Sequence, residues 1–556
     1  MADGAIPDAA LLDAAAAPDA MMPDAATLDA ALPDAMPPDA MPPDAAPDAA
    51  PPRQVTLTVA PAGNGVGVVS ASGIDCGTDC SESFVVGSSI VLTPTPTLGA
   101  RFVGWTGACS GIAACTLLLD DDRTVGARFE QVHLWSRSFG DLESQRDLHL
   151  ATDGAGNVYL TGAFQRSINF GPTSATRLTA AGAMDWFVAK LDGAGNHVWS
   201  KRFGTASDDE VGQGIAVTSD GLVLLGQFGG SVNLGGQTLV SSGSNDIAVA
   251  KLDLDGNHLW SRRFGTAFLE SGIGLAVDGA GNVFFTGYAG GDVDFGGGAL
   301  GRTGNAYLAK LGPTGSHLWS RALNASRSVG YRLACDGSGA VYWTGFFEGS
   351  LDIGGGALVA SGQDPFAIKL DGANGLVYSR SFRGSGPYDS GSLVLPLPDG
   401  RVLFGGIFDG IIDLGAAQLT STANANGFLA VLDGTGATVK SRRLGDGTVH
   451  PDGAVVDMTG NLLLTGAFGD TARFGGVPLQ SDSSHDSYLL ALDADLVTRW
   501  SVAFPHAGLD EGGAIARSSD GNVFVTGAFH TNPITLGGGA LPNLGAWDAW
   551  LMKVSP

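Results

Sequence analysis

Five acidic side chains have the spacing to do chemistry together. Glu210, Glu270 and Asp510 each stand five residues before an apolar position, at Ile215, Leu275 and Ile515. Asp389 and Asp452 occupy equivalent stretches in a different register. If the loops that carry them gather on one face, they form a ring of carboxylates. Such a ring would hold a cation, calcium being the one expected, or engage a basic or polyhydroxyl ligand. The competing expectation is ordinary solvated loop acids that do neither. The pattern assigns no catalytic residue, and calcium is the one cofactor it suggests.

Other reactive residue types argue for structure. Four of the nine histidines, His133, His197, His258 and His317, precede a tryptophan by two residues at a repeated position. A group that recurs in register serves the repeat, since a catalytic group is needed once. His149, His450, His485, His506 and His530 fall at unrelated positions and suggest neither a zinc triad nor a catalytic dyad. The Asp-Gly-x-Gly-Asn turns at Asp153 and Asp278, with variants at Asp336 and Asp520, resemble calcium loops faintly. They offer one carboxylate each, which suits hairpin turns better. Cys335 takes a slot held elsewhere by Val217 and Val277, and reads as a small buried hydrophobe. Nucleophile elbows, Walker loops and dinucleotide fingerprints are absent from any strand-to-helix context.

The elements that must position these residues come from a repeat. An apolar inner strand such as Gly214–Val217 is followed by a turn and a second strand ending in glycine. That glycine recurs at Gly162, Gly226, Gly287, Gly345, Gly406, Gly466 and Gly527, at intervals of about 60 residues. A third strand, such as Phe187–Asp192, and an outer Trp-Ser strand complete each copy. Seven copies of four strands predict an all-β, seven-bladed β-propeller over 131–556. The seventh copy ends before its outer strand, and a matching strand stands at 133–139. The first strand is therefore expected to close the last blade and leave no open edge.

Residues 54–130 read as a small β domain, with alternating strands at Val55–Val59, Ser89–Thr93 and Arg123–Phe129. Cys76, Cys80, Cys109 and Cys115 cluster within it, and no histidine accompanies them. Disulfides are expected, and local pairing is the simplest of three connectivities. Each short loop would contribute roughly 2 kcal/mol on the chain-entropy model. Residues 1–53, with ten aspartates on a near five-residue beat and Arg53 as the one basic residue, are expected to form a disordered Pro/Asp/Ala-rich tail. It is expected to act as a stalk.

Two resemblances follow from these motifs. The set Gly73-Ile74-Asp75-Cys76-Gly77, Gly104-Trp105-x-Gly107-x-Cys109 and Val125-x-Ala127-x-Phe129 is similar to the divergent internalin B-repeat-like module of bacterial surface proteins. Gly281-Asn282-Val283-Phe284-Phe285-Thr286-Gly287 and Gly521–Gly527 resemble the beta-propeller repeat family of exported bacterial proteins. The resemblances imply an exported accessory protein and no catalysis.

Composition narrows the role. The net charge of −26 disfavours nucleic acid and anionic membranes, which select clustered lysine and arginine. No apolar run reaches eighteen residues, so no membrane-spanning segment is expected. Disulfides imply an oxidising compartment, yet residues 1–53 contain no signal peptide. The expectation is an export signal upstream of Met1, and an extracellular, periplasmic or outer-membrane-attached monomer. The expected role is a binding or scaffold module for a protein or glycan ligand. A polysaccharide-active enzyme with its site at the channel mouth, or an envelope spacer, is the alternative.

Overall fold

Apolar residues on both faces of a strand require cover on both sides. The second and third strands of every repeat have this character, as in Val158–Phe164 and Asp246–Leu252, which are buried along their whole length. A computed structural model describes residues 51–556, apart from 98, 207, 424, 476–477, 482–484, 505–509 and 531–532. The expected stalk at 1–53 lies almost wholly outside the described residues, as does His506. Residues 53–556 form one unit with no α-helix among the described residues. No helix there is long and apolar enough to cross a membrane.

The repeat folds as a propeller. Among the described residues, seven four-stranded antiparallel sheets run from 133 to 554. Each proceeds from inner to outer strand, the first as Gln145–Thr152, Val158–Phe164, Asp185–Leu191 and His197–Phe203. Each inner strand packs against that of the next sheet, and Gln145–Thr152 packs against Asp510–Arg517 to complete the cycle. Apolar side chains interlock between sheets. Trp186 and Val188 of the first share a cluster with Leu222 and Leu224 of the second. The last sheet takes its outer strand from His133–Phe139, with Phe139 opposite Ala549 and Trp135 opposite Lys553.

Outer strands staple neighbouring sheets. Trp135 Nε1 donates to the Gly193 carbonyl, Trp199 to Leu254, Trp260 to Pro313 and Trp319 to Gly372, at 2.9–3.4 Å. The arginine two residues on adds a second bond, as Arg137 to Gly195 and Arg262 to Gly315, both at 3.1 Å. Lys440 replaces the tryptophan in one outer strand and donates to Ala494 at 3.3 Å, so an ammonium takes over the indole's bond.

Residues 54–131 form two further four-stranded sheets around Leu57, Val69, Leu92, Trp105 and Phe129. This module sits against the closing sheet and against the outer strand Thr498–Phe504 of the sheet before it. The Gly99 carbonyl accepts from the amides of Val132 and His133 at 2.9 and 3.1 Å, and Ser555 N donates to Val132 O at 2.7 Å. The Arg101 guanidinium lies 4.7 Å from the Trp500 ring.

Candidate functional site: the propeller channel

Among the described residues, Glu210, Glu270 and Asp389 form neither the expected ring of carboxylates nor the competing set of solvated loop acids. Glu210, Glu270 and Asp389 are fully buried at or beside the start of their inner strands. Turns there leave backbone N–H groups that need acceptors, and the side chains fold inward to supply them. Glu270 accepts from the Thr266 amide and hydroxyl, both at 2.7 Å, and from Gly291 N at 2.9 Å. Glu210 binds Thr205 in the same way at 3.2–3.4 Å, and Asp389 accepts from Asp409 N at 2.9 Å. Burial, reinforced by the charges of Asp185 and Asp208, raises Glu210 to about 8. Burial raises Asp389 to about 7, with Asp364 and Asp409 adding to it. Asp510 opens the strand Asp510–Arg517, and its side chain lies outside the description. Among the described residues no group of three His, Cys, Asp or Glu is placed to hold a metal ion. The calcium expectation therefore finds no site there.

Asp452 has a different place, which reveals the site. It is the extra residue of a β-bulge between Pro451 and Gly453. The other inner strands break register at the same point, leaving out Gln213, Ile273, Tyr331 and Ser392 singly, and 147–148 and 513–514 in pairs. The repeated glycine of the second strand lies opposite the bulge, as Gly226 opposite Gly212 and Gly287 opposite Gly272. A Cβ on Gly287 would fall 1.9 Å from the Ser271 carbonyl, and one on Gly466 1.9 Å from that of His450. Glycine there lets the bulging strand lie close, and the bulge re-aims side chains.

These bulges surround a central cavity of about 480 Å³ lined by all seven inner strands. Its polar lining comprises Asp147, His149, Gln213, Arg332 and Asp452. They do not follow the repeat. His149 and Arg332 stand where other strands have Gly214, Gly274 and Gly453. Asp147 stands in the slot of Gly212 and Gly272, with φ of 58°. Few non-glycine residues adopt that left-handed backbone, though aspartate is among the more tolerant. Water reaches Asp147, yet the enclosing protein raises its carboxyl against the opposing charge of Arg146. Burial pushes His149 down to about 3, with the charge of Arg332 adding, so its imidazole is neutral at neutral pH. Arg332 is lowered by burial and raised by Asp452, and one of its N–H groups donates to the Tyr331 carbonyl at 3.3 Å.

A period-two reading of the inner strands misses these residues, because the bulge exchanges faces midway. One signal is present, and for Gln213 alone among the polar lining: the residue after the inner-strand glycine varies widely, as Gln213, Ile273, Tyr331, Ser392 and Gly513.

The chain is similar in part to known proteins. Residues 55–133 match the divergent InlB B-repeat domain. An uncharacterized WD repeat-containing protein of Acanthamoeba polyphaga mimivirus is 22% identical over 212 residues, covering 33% of this chain and 15% of that protein. The chain thus spans under a sixth of that relative's length. Among solved structures, an apocarotenoid oxygenase of Synechocystis has a TM-score of 0.36 at 10% identity, covering 75% of this chain and 93% of that one. A protein of unknown function from Dyadobacter fermentans also scores 0.36 at 10% identity, covering 76% and 98%. A gluconolactonase from Xanthomonas campestris scores 0.27 at 13% identity, covering 60% and 90%.

Within the B-repeat module the cysteines pair locally. Cys76 joins Cys80 and Cys109 joins Cys115, with Cα atoms 4.2 and 6.1 Å apart. Cys335 is free and half-buried, and burial raises its thiol. The repeated histidines each pair with a serine three residues on, at 3.1 Å in all four outer strands. The turn aspartates use their oxygens locally. Asp153 accepts from the amides of Ala155 and Asn157 and from the Asn157 side chain, at 2.7–3.0 Å, and Asp278 repeats the pattern. These groups hold turns and strands, and none reaches the channel.

Proposed function

We propose that this chain is an exported bacterial protein that binds a protein or glycan ligand through its propeller. In this reading the seven sheets are the seven blades of one ring over 131–556. The B-repeat module at 54–130 and the acidic segment 1–53 hold the ring away from a surface. The channel carries the proposal. A repeat that only built a scaffold would fill its centre with repeated residues. Here five polar side chains depart from the repeat and share one cavity. The two disulfides favour an oxidising compartment, and with it export. The test is a glycan array and a cell-surface pull-down with the whole chain. Saturable capture of one ligand, competed by the unlabelled protein, is expected. Failure of both screens would overturn the proposal.

A further inference from the structure

We infer that the channel cavity is a saccharide site, binding a neutral sugar unit through Asp147, Gln213, Arg332 and Asp452. This rests on the reading of the protein as a binding module and names what the module holds. The cavity volume of about 480 Å³ falls in the roughly 300–1,000 Å³ range of small-molecule pockets. Its chemistry selects among ligand classes. Two carboxylates oppose an anion, and the Arg332 guanidinium opposes a simple cation. A ligand whose groups each donate and accept can use every member of the set. Hydroxyls donate to the carboxylates, accept from the guanidinium, and do either with the Gln213 carboxamide. A zwitterionic amino acid would match the charges but would leave most of the space unfilled. Between the polar groups the walls are apolar, at Ile215, Ile273, Leu275 and Leu333. These suit the C–H faces of a sugar ring.

The backbone adds an independent observation. Asp147 holds a left-handed conformation in a slot that other strands give to glycine. Strain at a non-glycine residue persists where the surrounding structure enforces it, and such residues gather at ligand sites.

The experiment is titration calorimetry of the whole protein with cellobiose, chitobiose and maltose, and with diglycine and glucuronate as zwitterionic and anionic probes. At least one disaccharide should bind saturably. Gln213→Leu and Asp147→Asn should each weaken it by about tenfold or more, the loss of one good hydrogen bond. Hydrogen exchange on the unaltered protein gives a second readout that needs no variant. The same disaccharide should slow exchange at 147–150 and 213–215. Disaccharide binding with unchanged affinity in both variants, and no slowing there, would overturn the channel site and leave the binding function standing. Binding of diglycine or glucuronate in place of any disaccharide would overturn the ligand class. Capture of a protein with no sugar bound would overturn the saccharide site alone. No capture of any kind would overturn the broader function as well.

Discussion

Three buried carboxyl groups and one half-buried imidazole make stability depend on pH in opposite directions. Glu210, Asp389 and Asp548 are raised by burial to about 8, 7 and 6. Their protonated forms belong to the folded state. Their contribution is complete below the ordinary carboxyl values of 4.5 and 3.8, and is lost as pH rises through 6, 7 and 8. His149 is depressed from 6.5 to about 3, so its contribution is present above 6.5 and is lost as pH falls toward 3. The melting temperature should therefore fall by several degrees from about pH 5 to about pH 9. Glu210→Gln keeps the shape and removes one titration, so it should flatten that decline. A flat profile in the unaltered protein, or an equally steep one in the variant, would contradict this account.

At the scale of strands, the outer-strand staple is the repeated device. Trp260 reaches the Pro313 carbonyl at 2.9 Å, and Arg262 reaches Gly315 at 3.1 Å. Trp260→Phe retains a ring and removes the indole N–H, leaving a carbonyl without that donor. The expected cost is about 1 kcal/mol, read as a lower melting temperature with an unchanged circular dichroism spectrum. An unchanged melt would show that water replaces the bond. This staple marks how far the residues alone can be read. The Trp-Ser pattern identifies the strand, and the recurrence of His258 identifies that residue as structural. Neither tells which carbonyl the indole seeks, because that partner lies in the next sheet. Gly287 likewise marks the repeat plainly, but the reason for glycine is the Ser271 carbonyl pressed against it. The burial of Glu210 and Glu270 is hidden for a related cause. Charged residues in a connecting loop read as solvated until the turn amides they satisfy are in place. Asp147 and Arg332 escape notice, and His149 stands out only as an unrepeated histidine, because a bulge has no signature in strict alternation.

For the whole molecule, the decisive joint is the sheet that unites the two ends of the ring. Its outer strand, His133–Phe139, comes from the start of the repeat region, and its third, Trp547–Val554, from the end. The B-repeat module seats on the same sheet through Gly99 and Val132, and on the neighbouring sheet, whose outer strand is Thr498–Phe504, through the Arg101–Trp500 contact. Deleting 133–139 should expose the edge of Trp547–Val554 and sharply lower the melting temperature. A melt unchanged by that deletion would mean that the ring holds without the joint.

The same joint orders events in time. His133–Phe139 leaves the ribosome before any other strand of the ring, and its partner leaves last. Until Trp547–Val554 has been made, the early strand has no place to pair, and its backbone edge stays open to chaperones and proteases. A chain interrupted before Trp547, or clipped there later, would show that edge again. The ring thus carries a completeness check, since only a chain that reaches through Trp547–Val554 conceals both edges of the joint.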